Sequence, residues 1–178
     1  MNILINFAAF QLGWIACVLG GANQLPWLGT LVAALIVAWH LSQAQSPGRE
    51  LTLLTGVGAL GATWDSLLVT AGWLTYPSGI LLTGTAPHWI VAMWVLFAST
   101  LNVSLRWLRG RWILGTILGA VAGPLAYYAG ARLGGVAITE PLLAFTALAV
   151  GWAAFVPLLI KLSIRFDGMR TRLVTAGA

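Results

Sequence analysis

Long apolar runs divide this chain, and every Lys and Arg except Arg132 falls in alternate gaps between them. The runs cover roughly residues 3–22, 26–44, 51–71, 89–108, 112–133 and 141–162, each near the ~20 residues that a helix needs to cross a bilayer. The gap after the second run holds Arg49, and the gap after the fourth holds Arg106, Arg109 and Arg111. The C-terminal end holds Lys161, Arg165, Arg170 and Arg172. Basic residues in short loops remain cytoplasmic, so the pattern predicts an all-α, six-transmembrane-helix bundle with both termini cytoplasmic. Residues 1–163 are expected to form one domain, followed by a basic cytoplasmic tail over 164–178. The expected location is the bacterial inner membrane, multi-pass.

At 178 residues there is room for one such bundle and no separate extramembrane domain. The surplus of basic residues is spread over loops that would face anionic lipid, which favours membrane lipids as partners over nucleic acid. The N-terminus lacks a basic segment before its apolar run, so that run is expected to stay as a helix. Cys17 is the single cysteine, which excludes an internal disulfide. Among the 10 tryptophans, Trp27, Trp73, Trp89, Trp107 and Trp112 fall near run ends, where indoles prefer the headgroup level. Trp64, Trp94 and Trp152 fall deeper and read as core packing or a ligand wall.

The connection over residues 72–88 is the longest and has no charged side chain apart from His88. Its apolar centre, Ile80-Leu81-Leu82, is too short to span, so it reads as an interfacial cap or a loop dipping into the bundle. Gly115, Gly119 and Gly123 form a GxxxGxxxG series in the fifth run, and the third run carries Gly58, Gly61 and Ala62 ahead of Asp65. Small residues at that spacing let helices approach closely. These two faces are therefore expected at the bundle centre, with helix–helix association through Gly115, Gly119 and Gly123 as an alternative use.

Two motif matches carry nothing. GVGALG at residues 56–61 fits a dinucleotide fingerprint, but that fingerprint needs a strand before it. Asn102-Val103-Ser104 fits a glycosylation sequon at the cytoplasmic end of a helix. Two histidines and four acids in total leave too few ligands for a histidine-box or diphosphate–Mg²⁺ site. No metal and no cofactor are expected.

Asp65 stands out. It lies inside an apolar run, where a carboxyl costs several kcal/mol and turns toward a partner or a cavity (~3 kcal/mol at the helix centre). It is the candidate catalytic, proton-exchanging group, or else an acceptor that fixes the fold by taking hydrogen bonds from Ser66, a Trp N–H or a Tyr. Tyr76, His88, Tyr127, Tyr128, Arg132 and Glu140 fall at a similar depth, and Gly123-Pro124 allows a bend beside them. A second polar group, Asn6, Gln11, His40, Gln43, Ser99, Asn102 and Arg106, gathers toward the cytoplasmic side. Ser99, Asn102 and Arg106 would share one helical face.

Several strings belong together: Asn6-Phe7, Phe10-Gln11 with Gly13-Trp14, Cys17-Val18-Leu19-Gly20, Asp65-Ser66-Leu67-Leu68, Pro87 with Trp89-Ile90, Trp94, Phe97-Ala98, Thr100-Leu101-Asn102, and Gly123-Pro124-Leu125-Ala126-Tyr127 with Gly130 and Arg132-Leu133-Gly134. As a set they resemble a family of small bacterial inner-membrane proteins catalogued as a domain of unknown function, over about residues 1–160. The resemblance implies a setting beside enzymes that modify unsaturated membrane fatty acids. That family often carries a histidine after Thr-Leu-Asn. Val103 stands there in this chain, which argues against a required basic group.

The expected function is the handling of a lipid or lipophilic small molecule in a polar pocket of the outer half of the bilayer, by modification or translocation; whether it is an enzyme stays open. Asp65 would exchange a proton or orient the ligand, Tyr127 and Tyr128 would supply hydrogen bonds, Arg132 would attract an anionic head, and His88 and Tyr76 would complete the lining. Gln11, Asn102 and Arg106 form the secondary cluster. A small-solute transporter or its substrate-binding subunit is the first alternative, with the Ala9, Gly13 and Gly20 face docking a partner. A non-catalytic assembly factor is the second.

Overall fold

The computed structural model describes residues 2–169; Arg170 and Arg172 of the expected tail lie outside the described residues. The chain is all-helical apart from one two-residue ladder. Helix α1 spans Ile3–Ala22, with the Asn2 side chain accepting from Leu4 N at 2.8 Å as its N-cap. Helices α2 (Pro26–Ser42), α3 (Pro47–Thr70) and α6 (Pro141–Arg165) all begin on proline, which is preset for the first helical turn and lacks only an N–H that has no partner there. Helix α4 spans His88–Leu101 and α5 spans Trp112–Arg132, the latter running through Pro124 without interruption. Strands β1 (Leu74–Thr75) and β2 (Ala137–Ile138) pair antiparallel, with Leu74 opposite Ile138.

Helices α1, α3, α5 and α6 are long and apolar enough to cross a membrane. The other two are shorter than their apolar runs. Helix α4 stops after 14 residues, about 21 Å at 1.5 Å per residue, although the run continues to residue 108. The hydroxyls of Ser99 and Thr100 turn back onto the Leu96 and Phe97 carbonyls at 2.6 Å each, competing with the backbone ladder. Residues 102–105 then turn, and a 3₁₀ turn follows at Arg106–Leu108. Ser99, Asn102 and Arg106 therefore do not share a helical face.

The central helix is α4, which packs on α1, α2, α3 and α6. Helix α5 packs extensively only on α6, so the expectation that the fifth helix forms the centre is corrected. Its glycine series meets α6 within the chain. A Cβ on Gly119 would strike the Trp152 carbonyl, and one on Gly123 would strike the Trp152 ring. Gly61 of α3 receives the Trp94 ring in the same way, and Gly151 of α6 receives Trp64. Gly61, Gly123 and Gly151 are slots for indoles, whereas Gly119 lets the α6 backbone approach.

The 72–88 connection is an ordered cap. Ser78 Oγ donates to the Gly21 carbonyl at 2.7 Å, Trp89 Nε1 donates to the Ser78 carbonyl at 3.1 Å, and Ala86 N donates to Ser66 Oγ at 2.9 Å. Gly79 adopts φ 84°, a left-handed conformation that glycine reaches without a Cβ penalty. Leu74 and Tyr76 point into the bundle, whereas Leu81 and Leu82 remain exposed. At the opposite end the described residues after α6 turn back onto the start of α3. Residues 166–169 fold back, with Ser46 N donating to the Gly168 carbonyl at 3.0 Å and Gly168 N donating to Glu50 Oε2 at 2.9 Å.

Candidate functional site

Asp65 is fully buried one turn and a half from the end of α3. Three side chains donate to it. Tyr76 OH and Tyr127 OH both reach Oδ1, at 2.9 and 2.6 Å, and Trp94 Nε1 reaches Oδ2 at 2.7 Å. The donors come from the cap, α5 and α4, so the carboxyl ties together three elements that are distant in sequence. Among the described residues no cation touches it, and the ion pairs all lie at the other end of the bundle.

Trp94 is held on both faces. Gly61 opens the slot on one side, and Trp152 stacks at 4.6 Å and 15° with Phe155 edge-on at 5.9 Å. This fixes the indole N–H on Asp65 and makes the Trp94–Trp152 pair a flat wall. Against that wall lies a cavity of about 380 Å³ between α1 and α4 on one side and α5 and α6 on the other. Phe10 and Trp14 of α1, Met93 of α4, and Gly119 and Ala122 of α5 contribute to its lining. Tyr76 and Tyr127 stand in the same wall, with Asp65 behind them. The site is an apolar cavity with a small polar end, not the polar pocket expected.

Of the residues expected there, only Tyr76 and Tyr127 join Asp65. Tyr128 is 52% exposed on the outer face of α5. Arg132 and Glu140 are exposed and form no ion pair among the described residues. His88 turns away from Asp65: its Nδ1 lies 2.7 Å from Thr30 Oγ1 and its ring stacks on Trp27 at 4.0 Å. The third donor is an indole N–H as expected, that of Trp94, whereas the Ser66 hydroxyl donates to the Ala62 carbonyl and not to Asp65. Loss of the Tyr76 hydroxyl (Tyr76→Phe) is expected to lower stability by about 1–2 kcal/mol, read by thermal unfolding in detergent. Tyr128→Phe should leave stability within about 0.5 kcal/mol.

The second cluster is real but differently composed. Glu50 is fully buried in the first turn of α3. It accepts from Gly168 N as described, His40 Nε2 lies 2.8 Å from its Oε1, and Asn102 Nδ2 donates to its Oε2 at 2.8 Å. Arg109 donates to Asn102 Oδ1 at 2.6 Å and to Asp167 Oδ2 at 2.9 Å, and Arg106 donates to both Asp167 oxygens at 3.0 and 3.1 Å. Asn6 belongs to a neighbouring set, donating to the Ser99 carbonyl at 3.2 Å and accepting from Ser104 Oγ at 2.7 Å. Gln11 and Gln43 are exposed and touch neither set. Sequence reading missed Glu50, Arg109 and Asp167; the available signal was that both acids fall in the same gaps as the arginines. Among the described residues, no three His, Cys, Asp or Glu side chains gather to hold a metal.

A family model described as "Protein of unknown function (DUF2878)" matches residues 3–158. The chain belongs to the DUF2878 family. No curated protein and no solved structure matches it. The DUF2878 match takes in Asp65, its three donors and the cavity wall, and it ends before Asp167 and Gly168. Asp167 and Gly168 of the Glu50 cluster thus lie beyond the matched residues.

Proposed function

We propose that the protein crosses the bacterial inner membrane six times, with both termini cytoplasmic, and holds a lipid or lipophilic small molecule in the cavity between α1, α4 and α5. The observation that carries this reading is an apolar cavity whose polar end is two phenols fastened to one buried carboxyl. Apolar pockets with a few placed polar groups bind apolar ligands and use the polar groups for orientation. A wall this poor in polar groups suits a lipophilic ligand better than a water-soluble solute, which would leave its hydrogen bonds unmade. The confinement of basic residues to alternate gaps supports the orientation. Asp65 would then act by positioning Tyr76 and Tyr127.

Untargeted lipidomics on a deletion strain tests the reading. Ala126 lines the cavity and is exposed, so Ala126→Trp fills the space without entering the packed core. The expected result is a lipid change in the deletion strain that wild type reverses and Ala126→Trp does not. An unchanged lipidome, together with gene-dependent uptake of a water-soluble solute, would overturn it in favour of solute transport.

A further inference from the structure

Tyr76 and Tyr127 share one acceptor, Asp65 Oδ1, at 2.9 and 2.6 Å, and both stand in the cavity wall. A phenol has one hydrogen to give, and its oxygen also accepts. With both hydrogens directed at Asp65, each tyrosine has only lone pairs left for anything else. The other wall indoles add little. Trp94 donates to Asp65 Oδ2 at 2.7 Å and Trp89 to the Ser78 carbonyl at 3.1 Å. Trp152 Nε1 is buried without a partner, a donor that a hydroxyl oxygen can take and an ammonium cannot. The two phenols are therefore an accepting edge, and among the described residues the wall's unpartnered donors are the indole N–H groups of Trp152 and Trp14.

We propose, building on the lipophilic-ligand reading above, that the cavity selects a molecule ending in a hydroxyl: a long-chain or isoprenoid alcohol that donates to a phenol oxygen of the Tyr76–Tyr127 pair. An ether, ketone or ester of the same size can take an indole N–H but brings no hydrogen for the phenol oxygens, which stay without a donor. A site built to pair with a hydroxyl rejects the analogue that lacks it, because the site's own buried groups are left unpaired.

The same geometry predicts an inversion. An asparagine at position 65 must turn its oxygen to the Trp94 N–H, which can only donate. Its amide hydrogens then face the two phenols, whose own hydrogens are released toward the cavity. Asp65→Asn should thus convert the accepting edge into a donating one.

The test is native mass spectrometry of the full chain in detergent, titrated with hexadecanol, pentadecyl methyl ether and heptadecane, which have equal heavy-atom counts. Wild type is expected to bind the alcohol roughly tenfold or more tighter than the ether. Asp65→Asn is expected to lose or reverse that preference at an unchanged thermal midpoint, and Tyr127→Phe to reduce it. Equal binding of alcohol and ether by wild type overturns the hydroxyl selection and leaves the lipophilic cavity standing. An alcohol preference that survives in folded Asp65→Asn also overturns the selection. Failure of all three probes to bind overturns both this assignment and the reading beneath it.

Discussion

Replacing His40 with alanine is expected to destabilise the protein by about 3–5 kcal/mol. His40 is 1% exposed and lies 2.8 Å from Glu50, which is fully buried. Without the imidazole, Glu50 keeps only Asn102 Nδ2 and Gly168 N, both neutral donors. A buried carboxyl robbed of one partner loses more than the bond itself, because its desolvation is no longer offset. Glu50→Gln retains an acceptor oxygen and should cost less. Thermal midpoints in a fixed detergent check the order: His40→Ala lowest, Glu50→Gln between it and wild type. A His40→Ala midpoint level with wild type would show that the pair contributes nothing to the fold.

Gly61→Leu is the second large effect, expected at about 3–5 kcal/mol from overpacking plus a lost buried hydrogen bond. A Cβ at this position falls within the Trp94 indole, so the ring must leave its slot. Its N–H then leaves Asp65 Oδ2, and its stacking on Trp152 is lost with it. Gly56, on the same helix, has open space where its Cβ would stand. Gly56→Ala should therefore gain about 0.5–1 kcal/mol, the helix-interior preference for alanine over glycine. Thermal unfolding with near-ultraviolet circular dichroism separates the two, since only Gly61→Leu should also disturb the tryptophan signal.

Hydropathy located all six helices because apolar content is a local property that each segment carries by itself. It could not locate the end of α4, because the hydroxyls of Ser99 and Thr100 stop the helix inside a run that remains apolar to Leu108. Asp65 was legible because a carboxyl inside an apolar run is conspicuous, and phenols at matching depth were natural partners. Choosing between Tyr127 and Tyr128 was also within reach: neighbours on a helix point about 100° apart, and only Tyr127 continues the Gly119–Gly123 spacing that faces inward. An indole donor was legible as a type, but with 10 tryptophans in the chain nothing local singled out Trp94. The Glu50 cluster escaped because its parts are distant in sequence, and acids beside arginines in loops read as solvated charge. The glycine series was seen, but its occupants were not: spacing signals that something comes close, and only the fold shows that at Gly119 it is the α6 backbone and at Gly123 the Trp152 ring.

The partners of α3 bear on how the chain is made. Helix α3 has the lowest mean hydropathy of the four long helices, 1.2, and buries two carboxyls, Asp65 and Glu50. Except for His40, every side chain that satisfies them lies later in the sequence: Tyr76, Trp94, Asn102 and Tyr127, with the backbone of Gly168 last. Helix α3 is therefore complete in the growing chain before most of the groups that satisfy its carboxyls have been made. A nascent chain halted before Tyr127 lacks the shortest bond to Asp65, so the final seating of the third helix is expected to come late in biogenesis and to depend on what is translated after it.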